Sequence, residues 1–177
     1  MTAPSEAAAI DTLARTLYGE AANQGRAGMA AVASVVLNRV KHPGWWGHDI
    51  SSVCLDPWQF SCWNSDNRNL PRMRAVTSAD PYFRVALDVA TQAVTGKLPD
   101  TVGNANSYYA FSIPAPGWTV RAAHVIDIGY HSFWQVQSPA PATCTAANPH
   151  GHPDAPTAGA VPLNSVGPDR LKEPDGS

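Results

Sequence analysis

The sequence predicts an α+β protein that is mainly helical and carries a small β element. Apolar residues recur at helical spacing in three segments before residue 97, whereas aromatic and β-branched residues flank turn signals between residues 104 and 136. The last 41 residues hold eight of the 16 prolines and no Phe, Tyr or Trp. We therefore predict one compact domain over residues 6–136 and a Pro-rich flexible tail over residues 137–177.

The first two predicted helices are adjacent in the chain. Helix 1 covers about residues 6–22 and ends near the polar turn Asn23-Gln24-Gly25. Helix 2 covers about residues 27–41 and is stopped by the Pro43-Gly44 pair. Ala and Val occupy several faces of helix 2, and this pattern predicts a central, largely buried helix.

The remaining elements are a third helix and short strands. Helix 3 is predicted to begin after a Ser78 cap, with Pro81 in its first turn, and to end at Gly96. Residues 43–75 have no clear period, so we expect long loops and short turns there. The segments NANSYYAFSI and AHVIDIGYHSFWQV predict strands, the second forming a hairpin through Gly129. The predicted inner stripe of helix 3 is Tyr82, Val85, Ala86, Val89 and Ala93.

Composition excludes several classes of protein. The formal net charge is −2 and there is no basic run, so nucleic-acid binding is not expected. No stretch approaches 18 apolar residues, so we expect no membrane insertion. The first residues lack the basic and apolar regions of a signal peptide. We therefore expect a cytoplasmic protein until it is released or carried in a particle.

Glu20 is the strongest candidate for chemistry. Leu13, Leu17 and Ala21 lie on one face of helix 1, and Glu20 stands at the edge of that face. Partial removal from water disfavours the carboxylate and raises its pKa. A carboxyl group with a raised pKa can act as a general acid near neutral pH. The sequence therefore predicts an acid catalyst at the end of helix 1.

Other catalytic arrangements have weaker signals. A glycosidase commonly uses two carboxyl groups, but none of Asp49, Asp56, Asp66, Asp80 and Asp127 has a pattern comparable to that of Glu20. No G-x-S-x-G or HExxH motif occurs. We expect no metal and no cofactor, although a zinc site stays open as an alternative, with ligands drawn from His42, His48, His124 and His131 together with Glu20 or an Asp. Cys54 and Cys62 are either a disulfide or two buried thiols.

Several motifs occur together and in order: ARTLYGEA, AVASVVLNRV, PWQFSCW, SYY, PGW and IGYHSFW. With them, residues 10–136 resemble the SleB/CwlJ family of cell-wall hydrolases, named for spore-cortex lytic enzymes. The resemblance implies a lysozyme-like domain that cleaves the glycan strands of bacterial peptidoglycan. In a lytic transglycosylase, one carboxylic acid protonates the glycosidic oxygen and then serves as base for the sugar's own 6-hydroxyl.

The resemblance also implies site residues. Glu20 matches the family's catalytic acid, and Tyr109 stands where the family usually has His, so any contribution from that His is absent here. The implied substrate-binding residues, from the QFS-x-W loop and the later aromatic segments, are Gln59, Phe60, Ser61, Trp63, Tyr108, Tyr109, Trp118 and His131.

The predicted function is cleavage of the MurNAc–GlcNAc bonds of peptidoglycan with formation of 1,6-anhydro-muramyl ends. The alternatives are a water-using muramidase assisted by an Asp from the 49–66 loops, a zinc amidase, and a non-catalytic wall-binding or virion module. The expected partner is the peptidoglycan polysaccharide. Holin-dependent release and attachment to a particle through the tail are the two routes considered for reaching it.

Overall fold

The computed structural model describes residues 5–44 and 46–137, which form helices and one small sheet. This arrangement confirms the predicted α+β class, in which helices dominate. The predicted tail beyond residue 137, including Cys144, lies outside the described residues. The helices are α1 (Glu6–Ala21), α2 (Gly25–Lys41), α3 (Ile50–Leu55), α4 (Leu70–Ala75) and α5 (Pro81–Val94), and the strands are β1 (Ser107–Ala110), β2 (Ala122–Ile128) and β3 (His131–Val136).

Helices α1, α2 and α5 pack against one another and supply most of the core. Helix α1 begins after Ser5, whose hydroxyl accepts the Ala8 N–H at 3.3 Å. Helix α2 is buried from Gly28 to Val36, which confirms its predicted central position. A single 3₁₀ turn and Gly25, with φ of 64°, connect the two helices. The last two turns of α1 are therefore held between α2 and α5.

The start of α5 corrects the predicted helix 3. Asp80, and not Ser78, caps the helix, because its carboxylate accepts the N–H groups of Tyr82 and Phe83 at 2.8 and 3.2 Å. Pro81 lies in the first turn as predicted. Tyr82 is half exposed, and Phe83 takes its place in the core. The buried face is therefore turned by about one residue from the predicted stripe.

The segment from residue 43 to residue 75 is more regular than predicted. It contains α3 and α4, each of six residues, which are too short for apolar periodicity to reveal. Helix α3 is fixed by a reciprocal cap, in which the Asp49 side chain accepts the Ser52 N–H and the Ser52 hydroxyl accepts the Asp49 N–H. Helix α4 has a Pro in its first turn.

The three strands form an antiparallel sheet in the order β1-β3-β2. The predicted hairpin through Gly129, with φ of 59°, joins β2 to β3. The side chain of Gln24 accepts the Tyr130 N–H at 2.9 Å and connects the hairpin to the turn after α1. A Cβ atom on Gly129 would lie 2.4 Å from the same Gln24 oxygen. Glycine is therefore favoured here by the positive φ, and another residue would also displace the Gln24 side chain that connects the hairpin to the helices.

Among residues 5–44 and 46–137, no helix combines the length and the apolar character that a membrane crossing requires.

Candidate active site

Glu20 lies in the last turn of α1, beneath the 58–63 loop and the sheet. Its Oε1 accepts the backbone N–H of Cys62 at 3.0 Å, and its Oε2 accepts the hydroxyl proton of Tyr108 at 3.0 Å. Only 1% of its surface is exposed. The carboxyl group is thus fixed at both oxygens by groups from two different elements.

Burial raises the pKa of Glu20 above its ordinary value of 4.5. The hydrogen bonds from Cys62 and Tyr108 and the nearby charge of Arg39 act in the opposite direction, but their effect is smaller than that of desolvation. The direction agrees with the sequence prediction. Glu20 is more deeply buried than the sequence predicts. A position at the edge of the apolar helix face predicts partial exposure, whereas the 58–63 loop and β1 cover this edge.

Gly19 allows the 58–63 loop to approach α1 closely. A Cβ atom at this position would lie 2.5 Å from the Cys62 Cβ and 2.8 Å from the Met73 Sδ. Both distances are too short for real contacts, and the Cys62 Cβ can move only with its backbone. Because Gly19 has no side chain, the loop lies close enough to α1 for the Cys62 N–H to reach Glu20.

We predict that Gly19→Ala lowers the free energy of unfolding by about 1 to 3 kcal/mol, the usual range for overpacking. The loss is expected although Ala favours a helix by about 1 kcal/mol relative to Gly. Urea denaturation measures the change. Gly117→Ala is the matched control, since a Cβ atom there meets nothing within 4 Å. A Gly19→Ala variant as stable as the wild type would contradict the close approach.

Arg39 is a fully buried cation that connects α2 to the covering segments. Its Nε donates to the Asn106 carbonyl at 2.7 Å and its Nη1 donates to the Gln59 Oε1 at 3.4 Å. The guanidinium lies between the rings of Trp46 and Phe60, 5.4 and 5.2 Å from their centroids. Burial lowers the pKa of Arg39 to about 10, so it stays protonated at neutral pH. One side chain thus holds both the 58–63 loop and the approach to β1.

The predicted loop residues fall into different environments. Gln59 and Phe60 are buried against Arg39, so in this structure they support the loop. Trp63 donates its indole N–H to the Thr16 hydroxyl at 2.9 Å, one turn before Glu20 on α1. Ser61 is partly exposed, and its hydroxyl oxygen is buried with no hydrogen-bond partner in the described residues.

The sheet separates the remaining predicted residues onto two faces. Tyr108 faces Glu20, and the ring of His131 packs against it with centroids 5.1 Å apart. Burial lowers the pKa of His131 to about 4, so the ring is neutral at neutral pH. Tyr109, the next residue in β1, points to the opposite face, where it contacts Trp118 at 6.2 Å between centroids. The structure therefore brings Tyr108 to Glu20 and His131 against Tyr108, but leaves Tyr109 and Trp118 on the other face.

Within residues 5–44 and 46–137, no three His, Cys, Asp or Glu side chains are grouped as metal ligands. His124 is instead paired with Asp127 at 2.8 Å on the surface. Cys54 and Cys62 are both buried free thiols, the second of the two predicted alternatives. Burial raises the pKa of Cys54 to about 12, so this thiol is protonated and unreactive.

Sequence reasoning missed Gly19, Arg39 and Cys62 as parts of this site. An Arg in a helix predicted to be largely buried was an available signal, because a charged group in such a position needs specific partners. Gly19 and the Cys62 amide left no comparable signal. The role of a helical glycine or of a backbone N–H depends on which element packs against it, and the sequence does not show this.

A mainly helical domain with a buried carboxylic acid beside a small sheet is typical of the lysozyme-like class of enzymes. Residues 23–134 match the family model described as Cell Wall Hydrolase, and the chain therefore belongs to that family. Glu20 lies three residues before the matched range.

Known relatives agree with this assignment. The chain is 28% identical over 127 residues to the spore cortex-lytic enzyme of Halalkalibacterium halodurans, a match that covers 70% of this chain and 34% of that protein. The chain thus spans about a third of the length of this curated relative. Its fold matches the catalytic domain of the germination-specific lytic transglycosylase SleB from Bacillus anthracis (TM-score 0.57, 24% identity, 72% of this chain and 93% of that one). The catalytic domain of Bacillus cereus SleB matches similarly (TM-score 0.57, 25% identity, 72% and 89%).

Proposed function

We propose that the chain cleaves the glycan strands of bacterial peptidoglycan at MurNAc–GlcNAc bonds, acting as a lytic transglycosylase. Glu20 donates its proton to the glycosidic oxygen as the bond to the anomeric carbon breaks. The 6-hydroxyl oxygen of the same MurNAc then bonds to the anomeric carbon and gives its proton to Glu20. The products are a 1,6-anhydro-muramyl end and a free GlcNAc hydroxyl, and the enzyme regains its starting protonation state.

The observation that carries this proposal is the buried Glu20 carboxyl with a raised pKa in a member of the cell wall hydrolase family. Its hydrogen-bond partners in the described residues are the Cys62 amide and the Tyr108 hydroxyl, and no second carboxylate is among them. Asp49, a candidate assistant, is occupied in capping α3. Transglycosylation needs only one carboxylic acid, because the 6-hydroxyl of the sugar takes the place of a carboxylate nucleophile or an activated water.

The enclosure of Glu20 adds a requirement to this mechanism. A general acid has to come within roughly 2.6–3.2 Å of the oxygen that it protonates. Since Glu20 is 1% exposed, a glycan reaches it only when the covering groups move. Cys62 belongs to a single 3₁₀ turn without a side-chain cap, whereas Tyr108 belongs to a paired strand. We therefore propose that the turn at residues 61–63 is the part that moves on binding, while Gln59 and Phe60 stay in contact with Arg39.

Product analysis tests the reaction. Purified sacculi are incubated with the protein, and the released muropeptides are identified by mass spectrometry. Anhydro-muramyl ends are expected, and their formation should persist in the presence of a chelator. Reducing ends would identify a muramidase. Intact glycan chains with released peptides would identify an amidase, and sacculi that are bound but not solubilised would indicate a non-catalytic wall-binding module.

The route to the wall belongs to the same proposal. A holin-dependent pore would release the protein from the cytoplasm, whereas attachment through the predicted tail, residues 137–177, would carry it in a particle. Fractionation of producing cells and particles separates these routes. Protein found in purified particles supports attachment, and protein found in the cytoplasm until lysis supports release.

A further inference from the structure

Trp58 combines two unfavourable features. Its φ of 67° lies in the left-handed region, and among the described residues it is the only one other than glycine to do so. Its side chain is also 59% exposed, although an indole is large and mostly apolar. In the described ranges the indole makes no hydrogen bond or ring contact. Strained residues of this kind concentrate at functional sites.

The left-handed conformation is imposed by the turn and not by the indole. The Gln59 N–H donates to the Asp56 carbonyl at 3.1 Å and closes a four-residue turn over residues 56–59. Pro57 occupies the second position, which suits its fixed φ. Trp58 occupies the third position, where a positive φ normally selects Gly or Asn. A bulky residue there costs stability by roughly 1 to 2 kcal/mol.

The residues that follow Trp58 in the chain hold its backbone in place. Gln59 and Phe60 follow directly, both are buried, and both contact the guanidinium of Arg39. The exposed ring is therefore presented from a braced turn, which lowers the entropy lost when a ligand packs on it. Cys62, which contacts Glu20, is four residues away, so the two Cα atoms are at most about 14 Å apart.

We propose that Trp58 is a stacking platform for a sugar ring of the glycan strand, close to the bond that is cleaved. This inference rests on the proposed function and adds a subsite to it. A flat apolar ring at the entrance of a carbohydrate site contacts the C–H face of a pyranose, while the sugar hydroxyls stay hydrated. Trp58 contributes binding and does not take part in proton transfer.

Three substitutions at this position separate binding from folding. Trp58→Gly removes the ring and relieves the backbone strain, Trp58→Asn removes the ring but tolerates the turn, and Trp58→Phe keeps a ring. Each is made in the Glu20→Gln background, where cleavage of a bound glycan is expected to be slower by about 10² to 10⁴. The probe is soluble glycan strands freed of stem peptides, and affinity is measured by calorimetry.

We expect Trp58→Gly to raise the melting temperature by about 3 °C and to weaken glycan binding about tenfold. Trp58→Asn should bind as weakly as Trp58→Gly, and Trp58→Phe should recover most of the affinity. Tyr82→Ala, which removes a half-exposed aromatic ring from α5, is the matched control and should leave binding unchanged.

The platform is refuted if Trp58→Gly binds glycan within twofold of its parent, or if Trp58→Phe is as weak as Trp58→Gly. A lower melting temperature for Trp58→Gly would also overturn it, since the indole would then support the fold. If sacculi are cleaved while Trp58→Gly binds normally, only this inference fails. If the wild type neither cleaves sacculi nor binds glycan, the proposed function itself fails, and the platform fails with it.

Discussion

Glu20→Gln is expected to lower the rate of glycan cleavage by about 10² to 10⁴, the usual contribution of a general acid. Glutamine keeps the shape of the side chain, and its carbonyl still accepts the Cys62 N–H, but it has no proton to donate. Release of soluble muropeptides from sacculi measures the rate. Glu6→Gln, on the exposed first turn of the same helix, is the matched control and should cleave at the wild-type rate.

Comparing the stability of the wild type and of Glu20→Gln as a function of pH tests whether Glu20 is a buried acid with a raised pKa. Because burial raises the pKa of Glu20 above 4.5, the folded protein holds this proton at pH values where the unfolded chain has released it. The stability contributed by Glu20 is therefore complete below pH 4.5 and is lost as the pH rises through the raised pKa. The variant should gain stability relative to wild type over this range in urea denaturation. A constant difference across pH would mean that Glu20 titrates as in water.

Arg39→Met is expected to lower the free energy of unfolding by about 2 to 3 kcal/mol and to slow cleavage. The substitution keeps an apolar stem but leaves the Asn106 carbonyl and the Gln59 Oε1 buried without their donor, each at a cost of roughly 1 to 3 kcal/mol. It also removes the cation between Trp46 and Phe60. Relief from burying a charge offsets part of this loss.

The matched control is Arg26→Met on the same helix. Arg26 pairs with Asp88 at the surface, where an ion pair contributes about 1 kcal/mol or less. Denaturation in urea gives both changes, and sacculus digestion under native conditions gives the rates. Equal stability of the two variants would show that the guanidinium of Arg39 does not hold the 58–63 loop in place.

The sequence predicted the helices whose apolar pattern is long enough to read. α1, α2 and α5 each present several turns, and their apolar residues recur with the helical period. The two six-residue helices escaped prediction because fewer than two turns give no period. The cap of α5 was misplaced by two residues, since both Ser78 and Asp80 are common capping residues and only the backbone geometry distinguishes them.

Some features of the candidate site could also be predicted from the sequence, and others could not. The position of Glu20 on an apolar helix edge was enough to predict a raised pKa, because desolvation follows from the face on which a residue lies. Packing decided the rest. Alternation along β1 directs Tyr108 to Glu20 and Tyr109 away from it, and this choice depends on the strand's register with β3. The sequence named both tyrosines and had no means of separating them.

The sequence by itself determined the α+β class, the central helix and the acid at the end of α1, because each follows from local periodicity. Only the tertiary structure decided how that acid is enclosed. The Arg39 guanidinium, the Cys62 amide and the Tyr108 hydroxyl lie 19, 42 and 88 residues after Glu20 in the chain and meet around it. Contacts between distant segments depend on how the helices and the sheet pack, and local sequence patterns do not record that packing.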